Sequence, residues 1–203
     1  MYGLPISTER KRQLPKKAIY AKFDLKPAQR ESFDADIARI DIVAVISPAT
    51  IPALSEGSEV KEFYVLAVQL KHRDYDIQNI TQLKKFIPQN IVFALQYDNR
   101  TQFAVCHTKL FTSTWQSTEE AVLPLSGLSL DAVWENIIKQ IGQIEVEGAR
   151  SLTEQIQIDE KKVKLGTQIK LLERKLALEK QPRKKREYFE AIKKMKEIYE
   201  GIH

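Results

Sequence analysis

Phe63-Tyr64-Val65-Leu66-Ala67-Val68-Gln69-Leu70 is the stretch on which the fold turns. It is apolar at odd and even positions alike. Successive strand side chains point to opposite faces, so such a run predicts a central strand covered by protein on both sides. Downstream, a polar turn at residues 72–76 precedes Ile77, Ile80, Leu83, Phe86 and Ile87 at helical spacing, and Pro88 stops them. A second strand follows at residues 91–95. Tyr97-Asp98-Asn99-Arg100 reads as a hairpin turn into a third strand running from Phe103 to about Phe111. A short fourth strand is expected at residues 121–125, ahead of a helix capped by Ser129 that turns Leu130, Val133, Ile137, Ile138 and Ile141 inward.

Upstream of the central run, Pro48, Pro52, Ser55, Gly57 and Ser58 mark a loop. Before it, Phe33, Ile37, Ile40 and Ala44 fall at i, i+4, i+7 and i+11, which predicts one helix from Pro27 to about Ser47, with Asp34, Asp36 and Asp41 on its solvated face. Residues 1–23 lack sustained periodicity and are rich in Lys and Arg, and they read as a surface arm anchored by Ile19, Tyr20 and Phe23. The expected body, residues 24–148, is α+β: a small mixed or antiparallel sheet of three to four strands with flanking helices.

Residues 151–203 have a different texture. Ser151-Leu152-Thr153-Glu154 is a capping box, in which serine and glutamate each satisfy an early backbone N–H. Ile158, Leu165, Ile169, Leu172 and Leu176, with Lys162 in the skipped position, form one seam; Tyr188, Ile192, Met195, Tyr199 and Ile202 form another. Proline is tolerated in the first turn of a helix and not in its middle, so Pro182 opens a second helix. The expectation is a C-terminal antiparallel helical hairpin with a coiled-coil seam.

Charge is segregated along the chain. Residues 1–30 hold eight Lys and Arg against two acids, residues 31–150 ten against sixteen, and residues 151–203 fourteen against nine. Basic ends flank an acidic middle, an arrangement that suits docking within the molecule or contact with a polyanion. The densest cluster is Lys180-Gln181-Pro182-Arg183-Lys184-Lys185-Arg186 at the expected hairpin tip. Lys180, Arg183, Lys184, Lys185 and Arg186 are therefore the candidate partner-binding residues, with nucleic acid or an acidic protein surface as the partner.

The sequence assigns no catalytic, cofactor or metal-binding residue. Cys106 and His107 are adjacent on an expected strand and so point to opposite faces, which is unsuitable for a nucleophile and its base. His72 lies in a turn, His203 is the last residue, and no Cys or His pair has the spacing of metal ligands. Gln69-Leu70-Lys71 has the spacing of a metal-dependent nuclease signature, with an amide where that chemistry needs a carboxylate. No Gly-rich loop precedes a helix. With one cysteine, no apolar leader and no run long enough to span a bilayer, a cytoplasmic, non-membrane protein is expected.

The stretches Lys17-Ala18-Ile19-Tyr20-Ala21-Lys22-Phe23 and Ile87-Pro88-Gln89-Asn90-Ile91-Val92-Phe93-Ala94-Leu95, with residues 36–41, 107–110, 133–137 and 180–185, resemble in order the bacterial and archaeal family of domain of unknown function 4391. The resemblance covers nearly the whole chain. It implies an accessory protein found beside helicases and DNA methyltransferases, and it supplies no catalytic residues. The resulting expectation is a non-enzymatic interaction protein that docks nucleic acid or a nucleic-acid-processing partner. The alternatives are self-assembly, as a homodimer through the helical hairpin, and a divergent metal-dependent nuclease.

Overall fold

The computed structural model describes residues 1–23 and 25–202. Asp24, at the start of the expected body, and His203, dismissed above as a ligand, lie outside the described residues. The chain forms two compact units, residues 1–144 and the segment from Glu145 onward.

In the first unit the order is β1 (Glu9–Gln13), α1 (Lys16–Phe23), α2 (Pro27–Asp36), β2 (Ile37–Ile46), β3 (Phe63–Leu70), α3 (Ile77–Phe86), β4 (Asn90–Tyr97), β5 (Arg100–Cys106), β6 (Leu110–Thr112), β7 (Gln116–Ser117) and α4 (Leu130–Gly142). The strands make one mixed sheet in the order β1-β2-β3-β4-β5-β6, with β7 also on β5. Among the described residues β3 and β4 are the one parallel strand pair, joined by the crossover through α3, and the other strand pairs are antiparallel. The α+β class is as expected, but the sheet has seven strands rather than three or four.

β3 occupies the centre. Phe63, Val65 and Ala67 are buried on one face, Leu66, Val68 and Leu70 on the other. The second set joins Ile19, Phe33, Ile37, Ile40, Ile80, Leu83, Ile91, Phe93 and Leu95 in a core beneath α1, α2 and α3. On the opposite face Trp134 of α4 meets Phe63 at 5.3 Å between ring centroids, and Tyr2 meets Phe103 edge-on at 5.3 Å. Burial pushes the Tyr2 phenol up to about 12, and its oxygen accepts from Gln96 Nε2 at 2.7 Å.

Three local expectations are corrected. The helix expected through Ser47 ends at Asp36 and becomes β2. Six of the ten β2 residues are β-branched, and these lose χ1 freedom in a helix while packing well in a sheet. The helical spacing of Ile37, Ile40 and Ala44 has a different cause. Register shifts between Ile37 and Arg39 and between Ile42 and Ala44 insert extra residues, so the buried positions do not alternate strictly. Second, the stretch read as an arm contributes β1 to the sheet and α1 to its cover. Third, residues 121–125 form no strand: Ala121 and Leu123 are buried, but the Leu123 N–H donates to the Tyr2 carbonyl rather than to a ladder.

Asp131, in the first turn of α4, secures the long β2–β3 connection. Its carboxylate accepts from the N–H groups of Ser58 (2.6 Å), Val60 (2.7 Å) and Glu59 (3.2 Å) and from the Ser58 hydroxyl (2.8 Å). A Cβ at Gly57 would stand 2.2 Å from Asp131 Oδ1, so only glycine lets the loop close on this carboxylate. The Val60 N–H, then the Ser58 hydroxyl, hold the Asp131 carboxyl down to about 2, against an ordinary 3.8.

In the second unit α5 (Leu152–Leu178) and α6 (Pro182–Glu200) form a helix pair. Ser151 and Glu154 make the expected capping box, and Pro182 sits in the first turn of α6. Glu173 bonds Lys196 at 2.8 Å, while Gly166, earlier in α5, lies opposite Tyr199, later in α6; the helices are therefore antiparallel. At about 1.5 Å per residue they measure roughly 40 and 28 Å. No helix among the described residues is long and apolar enough to cross a membrane.

A carboxyl group whose folded value lies below its unfolded one adds stability above the unfolded value and loses it as pH falls through the folded one. Asp131→Asn should therefore be less stable than the parent above about pH 4, and the gap should close as pH falls toward about 2, in thermal melts followed by circular dichroism.

Candidate functional site

The turn between α5 and α6 is short because each helix end is closed locally. Glu179 Oε1 accepts from the N–H groups of Lys180 (2.9 Å) and Gln181 (3.0 Å). The Gln181 N–H first, then that of Lys180 and the charges of Lys184 and Lys185, hold the Glu179 carboxyl below its ordinary value. Pro182 follows at the first helical position, where its missing N–H costs nothing.

This geometry brings Lys180, Arg183, Lys184, Lys185 and Arg186 onto one exposed turn. Arg183 Nε donates to Glu187 Oε1 at 3.3 Å and Arg186 Nε to Glu190 Oε1 at 3.0 Å, each one helical turn on. The two guanidinium side chains are 93% and 83% exposed, so their pairs are weak and readily screened by salt. Five cations thus stand against three carboxylates, Glu179, Glu187 and Glu190. Successive residues of α6 are spread around the helix, which turns positive charge in every lateral direction.

The first unit holds a denser polar cluster, where α2 ends and β3 gives way to α3. Asp36 is buried. Its Oδ2 accepts from the Asp76 N–H (2.7 Å) and Asn79 Nδ2 (2.6 Å), and its Oδ1 lies 3.1 Å from His72 Nε2. Beside it Asp34 accepts from Lys16 Nζ and, at 2.7 Å, from the Tyr20 hydroxyl. Burial opposes ionisation of Asp34, but the bonds from Lys16 and Tyr20 outweigh it and hold the carboxyl below its ordinary value. Neither Asp36 nor its partners carried a sequence signal beyond polarity, because Asp36 read as part of a solvated helix face.

Gln69 pairs with Arg39 on the face of the sheet opposite Leu70, whereas Asp36 is bonded to the first turn of α3, which covers Leu70. Lys71 donates its backbone N–H to the Asp36 carbonyl at 2.8 Å and its ammonium to the Asp34 carbonyl, while Arg39, opposite Gln69, donates to Asp41 at 2.9 Å, so these acids are engaged in structural contacts. Cys106 and His107 also differ from expectation: Cys106 ends β5, and His107 lies in a turn, donating its N–H to the Lys109 carbonyl at 3.0 Å. Burial pushes the Cys106 thiol up, with a smaller opposing pull from Lys84, so the thiolate is disfavoured. Among the described residues no group of three or more His, Cys, Asp or Glu could hold a metal ion.

Fold and surface together define an α+β protein with a C-terminal antiparallel helix pair and a cationic turn. The chain belongs to the family of domain of unknown function DUF4391, which it matches over residues 2–198. No curated protein and no solved structure matches it.

Asp36 and Asp34 should respond differently to truncation. Asp36→Ala removes the buried acceptor shared by the Asp76 N–H, Asn79 Nδ2 and His72 and should cost about 1–3 kcal/mol in urea denaturation. Asp34→Ala, whose side chain is about half exposed, should cost less than about 1 kcal/mol.

Proposed function

We propose that this is a non-enzymatic, cytoplasmic interaction protein. In this reading the first unit is a rigid body, the helix pair packs as a coiled coil, and its turn docks nucleic acid or a nucleic-acid-processing partner. The observation that carries the proposal is the concentration of Lys180, Arg183, Lys184, Lys185 and Arg186 on an exposed turn, five cations against the three carboxylates of Glu179, Glu187 and Glu190. Like charges this close repel, and a polyanion would relieve the repulsion while releasing its own condensed counterions.

Replacing Arg183, Lys184, Lys185 and Arg186 with Gln should leave the circular dichroism spectrum unchanged and weaken binding to duplex DNA or to RNA. The slope of log K against log salt should become shallower by up to about 3–4, one increment of about 0.9 per lost phosphate contact. Unchanged affinity and slope in fluorescence anisotropy would exclude the tip as the docking surface.

A second reading, self-assembly through the helices, is supported by Leu171 and Leu178, exposed at 53% and 83% and one heptad apart on α5. Pairing of two such surfaces would give a four-helix bundle. On that reading Leu171→Lys with Leu178→Lys should convert a dimer to a monomer in sedimentation equilibrium. A parent chain that stays monomeric at high concentration would end it.

A further inference from the structure

At the end of the sheet where β3 and β4 finish, the β4–β5 turn and β7 enclose a cleft of about 590 Å³ in the first unit. Its wall includes Trp115, half-buried, with its inner edge against the main core. Around the indole stand Asp98, Asn99, Arg100, Gln116 and Glu120. The backbone there is fully used: Arg100 and Thr101 pair with Ser117 and Gln116, and the Thr118 N–H donates to the Asn99 carbonyl at 3.0 Å. That pairing fixes the backbone beneath the five polar side chains, of which Asp98, Asn99, Arg100 and Glu120 are exposed and open to a ligand. Arg73 lies over the indole, its guanidinium carbon 6.0 Å from the ring centroid.

The chemistry of this rim is selective. Arg73 and Arg100 balance Asp98 and Glu120, so the cleft has no net attraction for a phosphate group or for a basic peptide. An aromatic wall favours a flat partner that stacks. The rim supplies carboxylate acceptors, a guanidinium donor and two carboxamides that can do either, and therefore calls for a neutral ring whose edge carries donors and acceptors side by side. Among nucleobases, guanine presents adjacent N–H donors that a carboxylate can accept, next to O6 and N7, the usual partners of an arginine fork. The cleft has the volume of an ordinary small-ligand site.

We propose that the Trp115 cleft binds one unstacked guanine base, with the indole as the stacking surface, Asp98 or Glu120 accepting from the N1 and N2 hydrogens, and Arg100 donating to O6 or N7. This site is separate from the cationic turn, and neither reading depends on the other. The shared chemistry could arrive as a free guanine nucleoside or nucleotide or as a base in single-stranded nucleic acid.

Isothermal titration of the full chain with guanosine, adenosine, cytidine and uridine, and with single strands of guanine-containing and guanine-free sequence, tests the assignment. Saturable binding of guanosine, or of the guanine-containing strand alone, is the expected result and identifies the source. Trp115→Ala should weaken it by about tenfold or more, as loss of a stacking surface does, while Trp115→Phe retains most of it. Glu120→Gln with Asp98→Asn, both exposed, should remove the preference for guanine without disturbing the fold, which keeps the test decisive if Trp115→Ala fails to fold. The four Gln substitutions at residues 183–186 should leave guanosine binding unchanged. Absence of saturable binding to any of these ligands, binding indifferent to both sets of cleft variants, or preferential binding of an arginine-rich peptide would overturn the proposal.

Discussion

Strand β3 has backbone donors and acceptors on both edges and apolar side chains on both faces, so it makes four demands on the rest of the unit at once. Between Phe63 and Leu70 only Gln69 is exposed. β2 and β4 satisfy the edges, one antiparallel and one parallel. Helices α1 to α3 cover one face, and α4 with the residues around Tyr2 covers the other. An unpaired edge or uncovered face here would leave buried polar groups without partners or apolar area in water, both costly relative to a protein's net stability. The Asp131 clasp follows from the same requirement, since it ties the connection entering β3 to the helix that covers it.

Elements whose local signals agree were legible in the sequence. The helix at Ser129, the capping box at Ser151, the turn at Asp98 and the Pro182 helix start all appear where capping and turn chemistry place them. β2 was not legible, because two bulges give a strand the buried spacing of a helix; its β-branched composition was the better guide. β1 was hidden for another reason. Arg10, Lys11 and Arg12 are exposed on an edge strand, where side chains leave no hydrophobic alternation to read. The cationic turn was visible as a charge run, whereas the Trp115 cleft was not, since its residues come from separate segments joined only by the β5–β7 pairing.

The basic residues at the two ends of the chain have different structural standing. On β1 they line an open sheet edge, and charge there opposes pairing with a stray strand, a sufficient physical reason for their presence. The turn between α5 and α6 has no open backbone edge to guard. Its carboxylates serve as a local cap and as one-turn partners, and the remaining charge has no equivalent conformational use. That asymmetry separates a charged surface that folding explains from one that it does not.

The parallel crossover has a consequence for synthesis on the ribosome. β3 can pair with β2 as soon as it emerges, but its second edge waits for β4 and its second face for α4, roughly 70 residues later, several seconds at ~5–20 residues per second. Through that interval the nascent chain displays a strand of high β-propensity with one side unprotected. The charged first strand cannot guard that edge, because β1 lies beyond β2 on the opposite side of the sheet, so the protection of β3 rests on how soon β4 follows it.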